Sequence, residues 1–472
     1  MKKNYKKVIV ILADGARPDV IQELSALGKL PYITEHLIQA GTDFKATTTF
    51  PSTTGPAYLP FLTGNFAGTA NMPGIRWFDK KAFAKGFGWP DGHRSYVGLE
   101  SYFMGKDIKA GTDTLFDLIP EAYNIFNAVT PRFGNRNLTK LSRIWYWYYA
   151  HLTDHWTFAD KAAHEKTMNA LRIPDLRFLF VVYPGIDEYG HLAGPKHEAT
   201  LDSYKFLDES IGEIVAELKK KNEWDNTQLW IVSDHGLSKT DHHFCINTFL
   251  EERDFPTFYY PLIHRRFNAR AASMVSGNGM SNVSFRNHDG WQRITTQEEL
   301  RKMSPDLLKD FLAQEAVDIV AIRNNEGGFD ILSKRGEAKV KEEGDKICYQ
   351  VVNADPFGYD ALPQKMSFAE SFERTIDSEY PDAPLQLAQL LRSPRAGDLI
   401  VSAKSGYDLR LKFEHPEHHG SHGSLHWEHM RCVMLCNTTF ERKHARSADL
   451  FPTVLDALDV KPTQNCDGVA II

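Results

Sequence analysis

The chain has 472 residues, of which 42% are hydrophobic and 25% charged, with a formal net charge of −6. This length exceeds what one simple hydrophobic core usually holds, so we expect a large domain with a sizeable insertion or a second domain. The acidic balance argues against a protein that binds nucleic-acid duplexes, which usually presents a basic surface.

Cysteine usage and the amino terminus bear on the cellular compartment. The five cysteines are odd in number and include no C-x-x-C pair, so no disulfide framework is expected. Residues 1–7 resemble the charged start of a signal peptide, but the apolar run that follows is about half the length such a peptide needs. No run approaches the ~18 apolar residues of a membrane span. We therefore expect a cytoplasmic protein without a membrane span, and the oligomeric state stays open.

The first predicted element is a strand over residues 7–16. Its uninterrupted apolar run is typical of a parallel strand that is buried on both faces. Asp14 stands at its carboxyl end, where parallel α/β sheets bind their ligands. The alternative is that Asp14 caps the next predicted element, a helix over residues 17–40.

Residues 51–64 form a polar turn followed by a short apolar helix, with Thr54 near the start of the helix. Pro56 suits a first helical turn, where one backbone N–H can be spared. The free N–H groups and the helix dipole there favour a phosphate-like anion. A threonine hydroxyl becomes a good nucleophile only when a base or a metal ion lowers its pKa, so without such groups this stretch is an ordinary turn.

Residues 80–174 are rich in glycine and aromatic side chains and include the aromatic block at 144–149. Such a block can be an interfacial membrane patch, or it can pack an inserted segment onto a core. We favour packing, and we treat residues 80–174 as an insertion.

Two further strands, over residues 176–183 and 228–233, are predicted on either side of a helix with a regular apolar stripe over residues 198–221. Soon after the first of these strands come Asp187 and, four residues later, His191. Directly after the second come Asp234 and His235. Three strand ends thus each carry a carboxylate, two of them with a histidine nearby.

The rest of the chain is predicted to form a cap domain, residues 246–405, followed by the last segment of the core, residues 406–472. Residues 246–405 are polar and broken, with one clear strand over 316–322, which predicts an α+β cap domain. The core resumes with a histidine-rich segment that contains His422, then a strand over 430–435 and a helix over 447–458. The predicted domains are a catalytic core of residues 1–79, 175–245 and 406–472, the insertion of residues 80–174, and the cap of residues 246–405.

The carboxylates and histidines at the strand ends predict a metal centre. Oxygen and imidazole donors without thiolate suit catalytic Zn²⁺, with Mn²⁺ as the alternative. The set is large enough for two sites, and two metals about 4 Å apart can bind both the attacking and the leaving oxygen in phosphoryl transfer. The predicted ligands are Asp14, Thr54, Asp187, His191, Asp234, His235 and His422.

The order of these motifs resembles the alkaline phosphatase superfamily. The motifs are Pro-Ser-x-Thr-x-Pro, Pro-x-x-Asp-x-x-Gly-His-x-x-Gly-Pro, Ser-Asp-His-Gly and a later His-Gly. Within the superfamily, they are most similar to the type I phosphodiesterase/nucleotide pyrophosphatase group and its relative phosphonoacetate hydrolase. The resemblance implies a doubly wound, mostly parallel α/β sheet with helices on both faces and an inserted cap.

The resemblance also divides the ligands between two metals. It implies that Asp14, Asp234, His235 and the nucleophile hold one ion, and that Asp187, His191 and His422 hold the other. We keep His426 as the alternative if His422 is not a ligand. It identifies Thr54 as the nucleophile, because the family keeps a constant spacing from the nucleophile to a Thr-Gly pair. Thr49 would make that spacing five residues too long.

Two positions depart from the family pattern. Ala57 replaces an asparagine three residues after the nucleophile, and the phosphate-contacting asparagine that follows a Gly-Ile pair is absent. The residues nearest to that second position are candidates to contact the substrate. We expect Arg76 and Asn71 to take its catalytic role, the Gly55 N–H to bind phosphate oxygens, and Trp77 and Phe78 to contact the substrate.

The expected function is two-metal hydrolysis of phosphate esters. A small-molecule or nucleotide-like phosphodiester or pyrophosphate would be attacked by Thr54, giving a covalent phospho-threonine that water then releases. The alternatives are a phosphomonoesterase or phosphonate hydrolase on the same core, or a metal-binding protein that has lost catalysis. A sulfatase is disfavoured because its nucleophile motif is absent from the sequence.

Overall fold

The fold is built around a six-stranded sheet. The computed structural model describes residues 5–85, 92–129, 136–413 and 417–471, so residues 1–4 of the signal-like start lie outside the described residues. Three pairings in this sheet are parallel and the two at one edge are antiparallel. The strands in spatial order are Thr42–Asp43, Met434–Cys436, Thr227–Val232, Lys7–Ala13, Phe178–Tyr183 and Ala122–Ile125.

The central strand, Lys7–Ala13, explains why the sheet forms. All seven of its residues are buried, as its apolar run predicts for a strand covered on both faces. It pairs in parallel with Phe178–Tyr183 on one side and with Thr227–Val232 on the other. The strand ends three residues before the predicted limit, because Gly15 turns the chain with a φ of +67°. The carboxyl ends of the three strands therefore meet at one edge.

The single helix predicted over residues 17–40 is wrong in its continuity. The structure has an α-helix at Pro18–Ala26, a short α-helical turn at Pro31–Ile33 and a π-helical turn at Thr34–Gln39. Gly28, with a φ of +68°, ends the first helix in the left-handed conformation. Pro31 then begins the next helical turn.

Part of the predicted insertion belongs to the core sheet. Ala122–Ile125 pairs in parallel with Phe178–Tyr183 and forms the edge of the six-stranded sheet. This strand mixes small, aromatic and polar residues over only four positions, so its sequence carries no strand pattern. Two helices, Arg143–Thr153 and Trp156–Ala170, connect it back to the core.

The helix Glu198–Lys220 matches its prediction to within one residue.

The strand and the helix predicted nearest the carboxyl terminus are each split into two shorter elements. The strand predicted over residues 430–435 is two short strands in different sheets. Arg431–Cys432 pairs with Lys45–Thr47, and Met434–Cys436 joins the core sheet. The last helix begins as a 3₁₀ turn, Ser447–Asp449, and continues as an α-helix, Leu450–Ala457.

The segment predicted as a cap, residues 246–405 and called the cap below, contains a nine-stranded sheet that is antiparallel except at one edge pairing. The strand predicted over residues 316–322 is found at Val317–Arg323. The strands in spatial order are Thr257–Phe258, Ala271–Ser276, Met280–Phe285, Leu399–Ala403, Val317–Arg323, Phe329–Leu332, Glu337–Glu343, Lys346–Val351 and Lys365–Ser367.

The cap also contacts the loop that leads to Thr54. The Phe50 N–H donates to Gln386 Oε1 at 2.9 Å, and Gln389 Nε2 donates to the Phe50 carbonyl oxygen at 2.7 Å. Both glutamines are buried, and Gln386 lies on the cap helix Ala383–Ala388. Two side chains of the cap thus bind the backbone just before the predicted nucleophile.

The remaining elements are short. The other strands form three small sheets. Ser238–His243 pairs with Gly406–Asp408 and with Gly420–Ser421, and His444–Arg446 pairs with Lys45–Thr47. Arg76–Phe78 pairs with His93–Ser95. The other α-helices are Leu59–Thr63, Lys80–Ala84, Met104–Asp107, Leu115–Leu118, Gly185–Ala193, Ile246–Glu251, Gln297–Met303, Leu307–Ala313, Phe368–Thr375 and Trp427–Met430. Within the described ranges, none of the helices has both the length and the apolar character that crossing a bilayer requires.

Candidate active site

Six of the predicted ligand residues meet at the carboxyl edge of the core sheet. Their donor atoms form two compact groups, with all ligand atoms of a group within 4.8 Å of one another. Five of the six side chains are at most 5% exposed, and His191 is half-buried. The first group is Asp14, Asp234 and His235, and the second is Asp187, His191 and His422.

In the first group, the imidazole of His235 faces two carboxylates. His235 Nε2 lies 3.2 Å from Asp234 Oδ2 and 3.6 Å from Asp14 Oδ1. The other ring nitrogen, Nδ1, is 3.0 Å from the carbonyl oxygen of Gly236. A backbone acceptor on Nδ1 leaves Nε2 directed at the carboxylates, as in a metal-binding histidine.

The second group repeats this arrangement with two histidines. Asp187 lies between them, with Oδ2 3.4 Å from His191 Nε2 and Oδ1 4.0 Å from His422 Nε2. The Nδ1 atoms of these histidines contact the carbonyl oxygens of Gly420 at 2.7 Å and of Ser52 at 3.0 Å. Ser52 is two residues before Thr54, so the His422 ring is oriented by the loop that carries the predicted nucleophile.

The two groups adjoin each other at Gly15. A Cβ atom built on Gly15 would lie 2.7 Å from Asp187 Oδ1, so any larger residue here would clash with the second group. Gly15 follows Asp14 of the first group directly, and its N–H lies 3.3 Å from Asp234 Oδ1. The absence of a side chain at Gly15 therefore allows the two groups to approach each other.

The electrostatics of the site are governed by three buried carboxylates that lie close together. Burial, together with repulsion from Asp234 and Asp187, raises the pKa of Asp14. Burial also opposes ionisation of Asp187, but the neighbouring His191 and His422 lower its pKa overall. Among the described residues, Asp187 Oδ1 and Asp234 Oδ2 are buried without a hydrogen-bond partner. One such oxygen in each group is the pattern that a bound cation would satisfy.

Thr54 lies at the first group. Its Oγ1 is 3.0 Å from His235 Nε2 and 3.4 Å from Asp14 Oδ1, and its side chain is partly exposed. Gly55 precedes the turn Pro56–Tyr58 with a φ of +92°, so the predicted helix start is found one residue later than expected. The Gly55 backbone is thus next to the Thr54 hydroxyl.

The alternatives Thr49 and His426 lie elsewhere. Thr49 is fully buried, and its Oγ1 accepts a hydrogen bond from the Ala67 N–H at 3.1 Å, which is a structural role. His426 caps the short helix Trp427–Met430 and contacts Glu379 at 3.3 Å. Neither belongs to the two groups of donor atoms.

The residues predicted to replace the missing asparagine have other partners. Arg76 Nη1 donates to the Val275 carbonyl oxygen at 2.9 Å. The Asn71 side-chain oxygen accepts a hydrogen bond from Ser393 Oγ of the cap at 2.8 Å. These contacts connect the nucleophile segment to the cap.

The positions of Trp77 and Phe78 argue against the predicted contact with substrate. Trp77 is fully buried, and its indole N–H donates to the Tyr96 hydroxyl at 2.8 Å. Phe78 is 2% exposed within an aromatic cluster that includes Phe83 and Trp291. The two rings form part of the core because strand Arg76–Phe78 is covered on both faces, which its three residues could not reveal.

Three residues near the site were missed by the sequence analysis. Tyr58 donates a short hydrogen bond from its hydroxyl to Asp14 Oδ2. Glu188 follows Asp187, and its pKa is raised to about 8 by burial and by Asp187. Arg143 is close enough to interact electrostatically with Tyr58, Asp14 and Glu188, although burial lowers its own pKa. Only Tyr58 had a signal in the sequence, since it stands one helical turn after Thr54.

The fold and the two donor groups define the class of protein. A central α/β sheet with two carboxylate–histidine groups at its carboxyl edge is the architecture of the alkaline phosphatase superfamily, which the sequence motifs resemble. The chain belongs to the type I phosphodiesterase/nucleotide pyrophosphatase family, whose model matches residues 8–425. The predicted family and fold are therefore confirmed.

Curated relatives are distant and match over part of their length. The chain is 22% identical over 234 residues to the bis(5'-adenosyl)-triphosphatase enpp4 of Xenopus laevis, covering 49% of this chain and 47% of that protein. It is 24% identical over 250 residues to the GPI ethanolamine phosphate transferase 1 of Mus musculus, covering 50% of this chain and 24% of that protein. The matched region thus spans about half of the frog protein and a quarter of the mouse protein.

Solved structures share the fold over almost the whole chain. The inactive murine ectonucleotide pyrophosphatase/phosphodiesterase 5 in complex with AMP has a TM-score of 0.58 at 13% identity, covering 98% of this chain and 97% of that one. Phosphonoacetate hydrolase from Sinorhizobium meliloti in complex with phosphonoformate has a TM-score of 0.57 at 12% identity, covering 96% of each chain. At these identities, the likeness establishes the fold alone.

Proposed function

We propose that this chain hydrolyses phosphodiester or pyrophosphate bonds of small, nucleotide-like molecules, with Thr54 as the nucleophile. The observation that carries the proposal is the position of the Thr54 hydroxyl, 3.0 Å from His235 Nε2 and 3.4 Å from Asp14 Oδ1. Thr54 is also the partly exposed residue of its loop, between neighbours that are buried. A hydroxyl that is both accessible and next to a basic donor group suits nucleophilic attack.

The two donor groups fit divalent metal ions. Each combines carboxylate and imidazole, and each contains a buried carboxylate oxygen without a hydrogen-bond partner among the described residues. Asp14, Asp234, His235 and Thr54 would hold one ion, and Asp187, His191 and His422 the other. We propose Zn²⁺, with Mn²⁺ as the alternative, because the donors are nitrogen and oxygen without sulfur. When bound, such ions lower the pKa of a hydroxyl or water and offset the charge of phosphate oxygens.

The chain's own groups then perform a double displacement. Thr54 Oγ loses its proton to solvent and attacks phosphorus, the bond from phosphorus to the leaving oxygen breaks, and that oxygen takes up a proton, which yields phospho-threonine and the released alcohol or phosphate. A water molecule then attacks phosphorus and gives up a proton, the bond from phosphorus to Thr54 Oγ breaks, and Thr54 regains its proton. The Gly55 N–H beside the hydroxyl can donate to a non-bridging oxygen, because no described residue accepts a hydrogen bond from it.

Arg143 supplies the contact to phosphate oxygens that the missing asparagine would otherwise make, and it adds a positive charge. Its Nε donates to the Phe126 carbonyl oxygen at 2.9 Å and its Nη1 to Ser101 Oγ at 3.3 Å. These bonds leave the outer edge of the guanidinium for a ligand. Ser101 and Met104 lie on consecutive helical turns, and Met104 contacts the Gly55 position, so Arg143 borders the nucleophile loop.

The nucleotide preference has support from outside the chain. The murine relative of the same fold was solved with AMP, and the frog relative is named for a dinucleoside triphosphate. Both relatives are distant in sequence, so we propose a nucleotide-like substrate as a class and name no particular molecule.

The test is turnover by the metal-loaded protein. The chain is depleted of metal, reloaded with Zn²⁺ or Mn²⁺, and assayed on matched chromogenic phosphodiesters, phosphomonoesters, nucleotides and phosphonates. Turnover that is fastest on the diester or the nucleotide and lost in Thr54→Ala supports the proposal. Preference for a monoester or a phosphonate would assign the alternative chemistry, and no turnover with bound metal would indicate a binding protein.

A further inference from the structure

In the first donor group, each carboxylate directs one oxygen into the group while its other oxygen accepts a hydrogen bond. The Gly15 N–H donates to Asp234 Oδ1 at 3.3 Å, whereas Asp234 Oδ2 lies 3.2 Å from His235 Nε2. The Tyr58 hydroxyl donates to Asp14 Oδ2, whereas Asp14 Oδ1 lies 3.6 Å from His235 Nε2. The first group therefore offers a cation one oxygen from each carboxylate.

The carboxylate of the second donor group is held differently. Asp187 Oδ2 lies 3.4 Å from His191 Nε2, and Asp187 Oδ1 lies 4.0 Å from His422 Nε2, so both oxygens face histidines of the group. Among the described residues, Asp187 Oδ1 has no hydrogen-bond donor. Both oxygens of Asp187 can thus approach one cation, and restriction to a single oxygen is a property of the first group.

The Tyr58 side chain is fixed in its position. Tyr58 ends the 3₁₀ turn Pro56–Tyr58, and its N–H donates to the Gly55 carbonyl oxygen at 3.0 Å. The residue is 3% exposed, and its ring belongs to the apolar core beneath the sheet edge. In a close-packed core such a ring cannot turn away from Asp14 without displacing its neighbours. The segment that carries Thr54 thus also carries the hydroxyl that orients Asp14.

The number of donor atoms bears on which metal ion a site prefers. Zn²⁺ is commonly bound by four ligands, whereas Mn²⁺ favours six ligands that are mainly oxygen. One oxygen from each of two carboxylates, together with His235 Nε2 and Thr54 Oγ1, makes four donor atoms. We propose, on the basis of the two metal sites proposed above, that Tyr58 is a positioning residue that restricts Asp14 to one ligating oxygen and so makes the first site selective for Zn²⁺ over Mn²⁺.

The test is metal competition in the absence of substrate. Metal-depleted wild type, Tyr58→Phe and the control Tyr96→Phe are dialysed against buffers that hold free Zn²⁺ and Mn²⁺ at fixed ratios, and bound metal is counted by mass spectrometry. Tyr96→Phe removes a matched buried hydroxyl, which donates at 2.9 Å to Asp107, a residue of neither donor group. In Tyr58→Phe the preference for Zn²⁺ over Mn²⁺ should fall by at least ~10-fold at one bound ion, and in the control it should equal that of the wild type.

Cobalt spectra report the number of ligands more directly. Four-coordinate Co²⁺ absorbs visible light more strongly than six-coordinate Co²⁺ does. The Co²⁺-loaded wild type and Tyr96→Phe should therefore absorb more strongly than Tyr58→Phe, in which the second oxygen of Asp14 is free to bind the ion. The second donor group contributes equally to all three spectra, so the difference between them reports on the first group.

Neither measurement uses turnover, so the result is separate from that of the catalytic proposal. A shifted metal preference in a protein without turnover would support the role of Tyr58 and contradict the catalytic proposal. An active wild type whose metal preference and cobalt spectrum are unchanged by Tyr58→Phe would overturn the role of Tyr58 alone. A wild type that shows only the weak spectrum of six-coordinate Co²⁺ would overturn it as well, whether or not the variant folds.

Discussion

The imidazole rings of His235 and His422 stack face to face, with 3.7 Å between their centroids and 15° between their planes. His235 belongs to the first donor group and His422 to the second, so the groups share this contact. Burial and the nearby His235 lower the pKa of His422, which favours the neutral imidazole that metal binding requires. Loss of either ring should therefore affect both groups.

Removal of His422 should reduce metal binding. We expect His422→Ala to lower metal affinity by at least ~10-fold and to lower turnover with it, since even residues that only support a ligand have effects of this size. Metal content after dialysis, measured by mass spectrometry, gives the readout. His426→Ala is the matched control, because His426 contacts Glu379 instead of the donor groups. Metal loss in the control with retention in His422→Ala would reverse the assignment.

Substitution of Thr54 should remove the chemistry and leave the fold intact. Thr54→Ala should abolish turnover, with metal content close to that of the wild type, because six other side chains remain as ligands. Thr49→Ala should keep turnover and lose about 1 kcal/mol of stability, since its hydroxyl accepts one buried hydrogen bond. Kinetics and urea unfolding of the two variants decide the nucleophile. An active Thr54→Ala enzyme would show that another group attacks phosphorus.

The two arginines near the nucleophile segment should behave differently. Arg143→Ala should lower kcat/KM by ~10-fold or more, a loss of about 1.4 kcal/mol of transition-state stabilisation. Arg76, which the sequence analysis placed in this role, binds the Val275 carbonyl oxygen, so Arg76→Ala should lower stability more than kcat/KM. Arg143→Lys keeps the charge and serves as the control. Equal kcat/KM for Arg143→Ala and wild type on diesters would remove Arg143 from the site.

Asp160 should make stability depend on pH. Burial raises its pKa to about 7, although the Gly185 N–H, which donates to Oδ1 at 3.0 Å, partly opposes this. The folded protein therefore holds a proton that the unfolded chain releases near pH 4, so stability falls as pH rises from about 4 to about 7. In Asp160→Asn this dependence is absent. Urea unfolding of both proteins across this range should show the wild type losing stability relative to the variant, and parallel curves would contradict the raised pKa.

The sequence predicted the core of the site because strand ends are easy to recognise. The buried strands Lys7–Ala13, Phe178–Tyr183 and Thr227–Val232 were anticipated within a few residues. In a parallel arrangement their carboxyl ends must meet, which brought together Asp14, Asp187 and Asp234. The spacing of four between Asp187 and His191 was noted, but the helix Gly185–Ala193, on which it places both residues on one side, was not predicted.

What the sequence could not predict depends on contacts between distant segments. Arg143 lies near the site because the strand Ala122–Ile125 joins the core sheet, which places the helix Arg143–Thr153 beside that sheet. Four residues of mixed polarity give no pattern for such a strand. Trp77 and Phe78 were predicted at the substrate because they occupy a family position, but burial from both sides, visible only in three dimensions, makes them core residues.

The hydrogen bonds from Gln386 and Gln389 to the backbone of Phe50 have a consequence for protein engineering and for evolution. The cap binds the backbone four residues before Thr54, so a truncated core without the cap would lose the contacts that position the nucleophile loop. We therefore expect such a core to be inactive. For the same reason, a cap from a relative could be grafted only together with the loop that it binds. Changes of specificity through cap exchange in this chain would then require paired substitutions in two segments more than 300 residues apart along the sequence.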